Sequence, residues 1–458
     1  MEAGAGLGRV VATRDWRLDL DGFAEGSSLG GALPRLEGRS IVLAVGDMAK
    51  AAAALIELDG VARRIVLCPP GFDLTGLDTV ARAAEADTLV YDGDAAPPET
   101  TLDVVACRLP LTSSSPHTRP TNAQRLAGAS GEKGHPQPFA TEWIMPTSGT
   151  SGPPKLVAHT IATLTGAFRP AGAQRWATFY DIRRYGGLQI FLRALSGTES
   201  LTLTSPGESV DAFLVRLGEA GAKHISGTPS HWRKVLMSGQ AGRIDPDTVR
   251  LSGEIADDSV LVALRALYPR AHVEHAYAST EAGVGFAVPD GKAGFPASFL
   301  DAGGAVTMKV VDDTLRIRSD RTALRYIGPD APALHDAEGF VDTGDVVERR
   351  GDRYVFAGRR GGIINVGGAK VHPEEVEAAL NAHAAVRASR VFARRNPITG
   401  ALVAAEVVLR EGVSVREGLS AEILSACRAT LPAHKTPSFL RFVAELPITD
   451  GGKLARHG

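Results

Sequence analysis

Cysteine is scarce: Cys68, Cys107 and Cys427 are the only three in 458 residues, far apart and without metal-ligand spacing. That excludes a disulfide framework and fits reduced thiols in a cytoplasmic protein. An excess of charge of one sign is also lacking. The 50 basic residues face 52 acidic ones, a formal net charge of −2, so neither nucleic acid nor a membrane surface is an expected partner. No stretch approaches the roughly 18 apolar residues of a membrane span, and the opening Met1, Glu2, Ala3, Gly4 has no apolar signal core. These absences lead us to expect a cytoplasmic protein with no membrane span.

What is present is a globular composition, 44% hydrophobic and 22% charged, on a chain too long for one core. Between residues 37 and 110, β-rich runs alternate with alanine-rich helical ones. Residues 41–45, 65–68 and 88–91 read as strands and 48–57 as a helix, which predicts sheets covered by helices. Residues 112–140 carry Ser, Pro, Gly, Thr and His without a period and predict a long surface connection. Further units follow, with strands at 200–204 and 249–252 and a helix over 210–220. Short strands crowd 306–311, 315–318 and 353–356, a more β-rich portion. At Gly358, Arg359, Arg360, Gly361, Gly362 the composition turns charged and flexible, which marks a boundary. Beyond it a helix begins near Pro373, with Glu374, Glu375 and Glu377 in its early turns. Strands at 389–393 and 401–409 and a helix over 416–431 complete a small α+β unit. The fold class is α/β, with a large domain over 1–357, a hinge at 358–362 and a small domain over 363–458.

Residues 147–155, Thr-Ser-Gly-Thr-Ser-Gly-Pro-Pro-Lys, follow the apolar run Trp143, Ile144, Met145 and pack hydroxyls, glycines and one lysine into nine positions. Glycines let backbone N–H groups approach an anion, hydroxyls donate to oxygens and lysine adds charge, so the loop suits phosphate. The common nucleotide loop Gly-x-x-x-x-Gly-Lys-Ser/Thr cannot be laid onto it. Four further clusters accompany it. Tyr277, Ala278, Ser279, Thr280 and Glu281 set a ring, hydroxyls and a carboxylate side by side. Asp342 to Asp345 place carboxylates in a turn, Arg359 supplies a planar cation, and Lys453 stands in a glycine-bordered loop. Singly, each has an ordinary reading as helix start, turn, solvated linker residue or tail charge. Their order is what makes them informative.

In that order the chain resembles the superfamily of adenylate-forming enzymes, which contains acyl- and aryl-CoA synthetases, adenylation domains of nonribosomal peptide synthetases and firefly luciferase. The matching pieces are residues 147–155 with His159 and Thr160, 277–281, 342–345, 358–377 and 447–456. The resemblance implies two steps: a carboxylate attacks the α-phosphate of ATP to give an acyl-adenylate and pyrophosphate, and a thiol then displaces AMP. It implies that Thr147, Ser148, Gly149, Thr150, Ser151, Gly152 and Lys155 hold the β- and γ-phosphates. Tyr277 would stack near adenine, Thr280 contact the α-phosphate and Glu281 bind Mg²⁺. Asp345 and Arg359 would hold the ribose, and Lys453 would bridge the carboxylate and the α-phosphate. The small domain is then expected to be mobile, bringing either Lys453 or the Gly367 and Gly368 region to the reaction, with the latter at the coenzyme A channel. The pivot departs from the family's usual Asp or Lys, having Gly361 followed by Gly362. Glycine retains the freedom a hinge needs.

The small carboxylic acid is the least readable partner. Residues 179–188 stand where the family places a gate residue or, in peptide-synthetase domains, an Asp for the amino group. Counting back from Leu195, Ser196, Gly197 puts Arg184 at or beside that position. An arginine there would repel an α-ammonium group and could pair with a second anionic group, pointing to an aryl acid or a diacid. In the alternative, Arg184 faces out and Asp181 or Tyr185 lines the pocket. His231, Ser252 and Gly253 lie where the family lines its acyl pocket, and His231 is equally readable as structural. The thiol is that of coenzyme A or of a carrier-protein phosphopantetheine. The chain ends soon after Lys453, so a fused carrier domain is not expected.

Overall fold

The computed structural model describes residues 9–20, 26–69, 76–94, 99–113, 140–147, 155–166, 174–196, 200–366, 369–396 and 400–447. Ser148, Gly149, Thr150, Ser151 and Gly152 of the phosphate loop lie outside the described residues, as do Gly367, Gly368, Lys453 and most of the connection at 112–140.

Two large sheets are wound in the way the β/α rhythm predicts. One runs, in spatial order, Gly283–Val288, His272–Ser279, Thr248–Ser252, His224–Gly227, Arg175–Thr178, Ser200–Leu203, Val10–Ala12, Arg17–Asp19. Its six inner strands are parallel, and each edge strand is antiparallel to its neighbour. The other runs Arg325–Ile327, Leu156–His159, Glu142–Pro146, Arg64–Leu67, Ser40–Ala44, Thr88–Asp92, Asp103–Cys107, with its last five strands parallel. Ser40–Ala44 shows why such strands lack polar alternation. Ile41 and Leu43 face a core shared with Trp176, Leu201 and Leu203 of the first sheet, while Val42 faces a second core with Leu77, Ala81 and Ile144. Both faces are covered, as parallel strands require. The first sheet's outer face is closed by helices Val210–Ala220, Pro229–Met237 and Asp258–Leu267, which bury Phe213, Trp232 and Leu264.

The β-rich portion is an antiparallel sheet ordered Phe295–Pro296, Arg353–Arg359, Val341–Arg350, Thr314–Ser319, Val306–Val311. The C-terminal unit has its own sheet, in which Val386–Asn396 and Gly400–Leu409 form a long antiparallel pair. Helices Pro373–Asn381 and Leu419–Thr430 pack Val376, Leu380, Ile423 and Cys427 with Val391 and Val407 of that sheet. The second helix starts at Leu419 rather than near Arg416, because Gly418 holds φ of 83° in the left-handed region and interrupts the helical path just before it.

Candidate active site

The candidate site gathers residues from the carboxyl ends of parallel strands Glu142–Pro146 and His272–Ser279, the end at which open α/β sheets bind ligands, and from antiparallel strands beside them. Strands Glu142–Pro146 and Leu156–His159 form a hairpin with Pro146 opposite Leu156, and Thr147 N donates to Lys155 O at 2.8 Å. The nine-residue phosphate loop is therefore drawn tight at its base between two ladder strands. The Lys155 ammonium lies 5.0 Å from the centre of the Tyr326 ring on the adjoining edge strand, a cation–π contact.

His159, at the end of that hairpin, is fully buried. Its Nε2 is 2.7 Å from Thr280 O and its Nδ1 2.9 Å from Thr163 Oγ1, in a helix capped by Thr160. Burial pushes its pKa down to about 4, so the ring is neutral at neutral pH, with the Nε2 proton donated to the Thr280 carbonyl. One imidazole thus bonds the phosphate hairpin to the Thr280–Glu281 turn, 121 residues away. In sequence His159 was only part of a motif; burial and partner supply its role.

The third cluster unites three residues read separately. Tyr277 donates its hydroxyl to Asp345 Oδ2 at 2.6 Å, and Arg359 Nε donates to Asp345 Oδ1 at 2.9 Å. Asp345 and Arg359 are direct cross-strand partners, so their contact follows from sheet register. Burial, with the Asp345 charge beside it, holds the Tyr277 phenol well above its ordinary range, and Asp345 raises Arg359. The Tyr277 ring is nearly parallel to Phe356 (5.3 Å, 9°) and Phe286 (5.5 Å, 18°), which fixes its plane. Glu281 belongs to the same electrostatic neighbourhood: burial raises the Tyr326 phenol and the Glu281 charge adds to it, and Glu281 adds to the larger effect of Asp345 on Arg359. Among the described residues the half-buried Glu281 carboxylate has no hydrogen-bond or ion-pair partner, and no group of three His, Cys, Asp or Glu side chains gathers anywhere. A lone carboxylate fits a hard, oxygen-preferring cation that takes its other ligands from phosphates and water.

On the acid side, Tyr185 opens the helix Tyr185–Leu195, is buried, and sits 5.4 Å from the His159 ring. Arg184 is the helix's N-terminal boundary residue and is half-buried. His231 is a capping residue: Thr228 N donates to its Nδ1 at 3.2 Å, its own N–H donates to Thr228 Oγ1, and its ring stacks on Phe179 at 5.3 Å. Burial lowers it to about 4, so it too is neutral. His231 thus caps its helix, and its ring stands against Phe179 and Tyr180. Ser252 ends its strand and Gly253 turns away at φ of 86°. Sequence reasoning missed Tyr180, whose hydroxyl lies 2.7 Å from Gly227 O and 3.0 Å from Ser252 O, clasping two strand ends, and the buried pair of Asp181 and Arg183. In sequence Asp181 is an alternative lining residue for the acid pocket and Arg183 has no role, whereas the structure commits both Asp181 carboxylate oxygens to Arg183.

At the boundary, Arg360 donates to Thr314 Oγ1 at 2.8 Å and to Asp342 Oδ2 at 3.2 Å. Gly358 holds φ of 136°, where an added Cβ would lie 2.3 Å from Glu374 Oε2 of the first C-terminal helix.

Comparison with known proteins decides the family. The sequence profile of the AMP-binding enzyme family matches residues 48–323, and that of the AMP-binding enzyme C-terminal domain matches residues 375–453. The chain belongs to the AMP-binding enzyme family. Among relatives of this AMP-binding enzyme, the mouse (Mus musculus) mitochondrial acyl-coenzyme A synthetase ACSM4 is 27% identical over 443 residues, covering 86% of this chain and 74% of the relative. The 2-succinylbenzoate–CoA ligase of Geobacillus sp. is 26% identical over 337 residues, 69% of this chain and 67% of the relative. A crystal structure of the anthranilate CoA ligase AuaEII with anthranoyl-AMP superposes with a TM-score of 0.78 at 18% identity, covering 98% of this chain and 93% of that one. At that identity the likeness speaks for the fold, and it supports the expected large and small α/β parts. Among the described residues, no helix is long and apolar enough to cross a membrane.

Proposed function

We infer that this AMP-forming acid–thiol ligase activates a small carboxylic acid with ATP and transfers the acyl group to coenzyme A. The carboxylate oxygen attacks the α-phosphorus, the bond to the β-phosphate breaks, and pyrophosphate leaves. The coenzyme A sulfur then attacks the acyl carbon and AMP departs with the electrons of the acyl–oxygen bond. The observation that carries this reading is the joining of Tyr277, Asp345 and Arg359, with Thr280 bonded through His159 to the base of the phosphate loop. Each piece has the chemistry for one part of ATP.

The hairpin holds Thr147 and Lys155 together, and the hydroxyls and glycines of the sequence between them, with the Lys155 ammonium, would serve the β- and γ-phosphates. Asp345 accepts from Tyr277 and Arg359 on different oxygens, which leaves lone pairs on each for the ribose hydroxyls. Thr280 would donate its hydroxyl to the α-phosphate, with its main chain steadied by His159. Glu281 would hold Mg²⁺, whose charge offsets that of the triphosphate. Lys453 would place an ammonium between the attacking carboxylate and the α-phosphate, where positioning and charge neutralisation dominate the barrier.

We assign 1–357 to the large domain and 363–458 to the small one, pivoting at Gly361. The Arg360–Gly362 turn and the left-handed Gly358 support a pivot there. Gly367 and Gly368 would then face the thiol. The three cysteines are buried free thiols, which supports a cytoplasmic, reducing location. The deciding experiment is exchange of labelled pyrophosphate into ATP across a panel of acids, followed by thioester formation with coenzyme A or with a phosphopantetheine-loaded carrier protein. Exchange that ignores the acid overturns the reading, and transfer to the carrier protein alone replaces coenzyme A as acceptor.

A further inference from the structure

In the seven-stranded sheet, Ser40–Ala44 is flanked on one side by Arg64–Leu67 and on the other by Thr88–Asp92, all parallel. The chain therefore reverses its direction of travel across the sheet at the carboxyl end of Ser40–Ala44, which opens a crevice of the kind that takes ligands in such sheets. Here a side chain from the loop that follows Arg175–Thr178 of the other sheet enters it. Arg183, 3% exposed, donates from one terminal nitrogen to Val45 O and to Gly46 O, the latter at 3.1 Å. Its Nε and other terminal nitrogen donate to Asp181 Oδ1 at 2.8 Å and Oδ2 at 2.5 Å. Asp181 Oδ1 also accepts the Arg183 N–H at 2.8 Å, so both carboxylate oxygens are engaged.

Tyr180, in the same loop, is bonded to the strand ends at Gly227 and Ser252 in the eight-stranded sheet. The loop over 179–184 is thus bolted to the carboxyl edges of both sheets. Its far end is equally constrained: a Cβ on Gly187 would lie 2.1 Å from Asp181 O, so the helix beginning at Tyr185 is pressed onto the Asp181 backbone. A buried ion pair loses much of its attraction to desolvation, and apolar residues of similar volume often replace one without loss of stability. In some proteins such a pair instead fixes one conformation among several.

We propose that Arg183 is a positioning residue for the acid. It selects the loop conformation that sets Arg184 and Tyr185 at the acid end while withdrawing the Asp181 carboxylate from it. The proposal rests on the ligase reading above. It adds that acids lacking an α-ammonium group are the substrates, because the loop's one carboxylate is committed to Arg183.

The test is acid-dependent pyrophosphate–ATP exchange with the full chain, giving KM for the acid, KM for ATP and the unfolding midpoint of each variant. Matched pairs such as 3-phenylpropanoate and phenylalanine belong in the acid panel. Arg183→Met is expected to raise the acid KM by roughly tenfold or more, since small misplacements cost this much, while KM for ATP stays within about twofold. Arg183→Lys should restore part of the loss, and Tyr180→Phe should show the same split more weakly. An unchanged acid KM in folded Arg183→Met overturns the proposal. So does a parallel rise in both KM values, or a preference of the wild type for the α-amino acid of each pair. If Arg183→Met does not fold, Arg183→Lys decides by the same split, and failure of both to fold marks the pair as structural and overturns it. A wild type with no acid-dependent exchange refutes the ligase reading itself, a different result from any of these.

Discussion

The proposed nucleotide end and the proposed acid end of the site are held by different kinds of contact. At the nucleotide end, charged and phenolic side chains from separate strands bond to one another: Asp345 meets Tyr277 at 68 residues' separation and Arg359 at 14. At the acid end the fastening is largely to main chain, with Tyr180 on two carbonyls, Arg183 on two more, and His231 in its own helix cap. A triphosphate makes the same demands whatever the acid, so its residues need particular charges at particular places. A pocket fastened through backbone can change its lining side chains without losing its frame. The largest effect that would break this comparison comes from Lys453. Lys453→Ala should remove acid-dependent pyrophosphate exchange by roughly 10²- to 10³-fold, the size of a lost oxyanion donor, for every acid alike. Thioester formation from supplied acyl-adenylate should be largely spared. Equal loss of both half-reactions would count against the assigned role.

Each end also contains one buried neutral imidazole, and pH compares them directly. His159 and His231 are both lowered from 6.5 to about 4. Their folded-state pKa lies below the unfolded one, so the stability they contribute is complete above about pH 6.5 and is lost as pH falls toward 4. Each accounts for about 3 kcal/mol of that loss. His159→Gln and His231→Gln should each flatten the fall of the unfolding midpoint between pH 7 and 4.5. Only the first should also weaken ATP use, because only His159 holds Thr280. A wild-type pH profile matched by both variants would show that the fold lowers the pKa of neither ring.

Asp345→Ala tests the nucleotide cluster itself. It removes the carboxylate proposed to accept the ribose hydroxyls, a bond to a charged group worth about 2 kcal/mol, and it frees Tyr277 and Arg359 from the acceptor that fixes them. That corresponds to roughly thirtyfold in kcat/KM for ATP, with the relative preference among acids unchanged. A shift in acid preference would mean that the two ends are not separable.

Legibility in the sequence follows the same division. The strands at 41–45 and 88–91 and the helix at 210–220 were readable because both-face burial and 3.6-residue periodicity leave continuous signals. Tyr277, Asp345 and Arg359 were readable as types in order, though their bonding depends on register, which no local pattern encodes. Asp181 and Arg183 were opaque for a physical reason: two residues apart, they look like exposed loop charges, and their burial arises from the meeting of two sheets. The edge of the helix at Leu419 was missed because Arg416 and Glu417 are good helix formers, whereas Gly418 alone sets the boundary.

Arg184 is where the smallest effect is expected and where the acid end can be sharpened most. It lies half-buried at the start of the helix Tyr185–Leu195, with no side-chain capping bond, so removing its guanidinium should leave the helix intact. If the guanidinium attracts a second anionic group on the acid, Arg184→Ala should shift the ratio of kcat/KM for dicarboxylic over monocarboxylic acids by about 1 kcal/mol, roughly fivefold. The screening of a half-exposed pair keeps the effect that small, and raising the salt concentration should shrink the wild-type preference toward that of the variant. Unchanged selectivity between the two acid classes would assign Arg184 to solvent and leave the neutral groups around Tyr185 and His231 to choose the acid by shape.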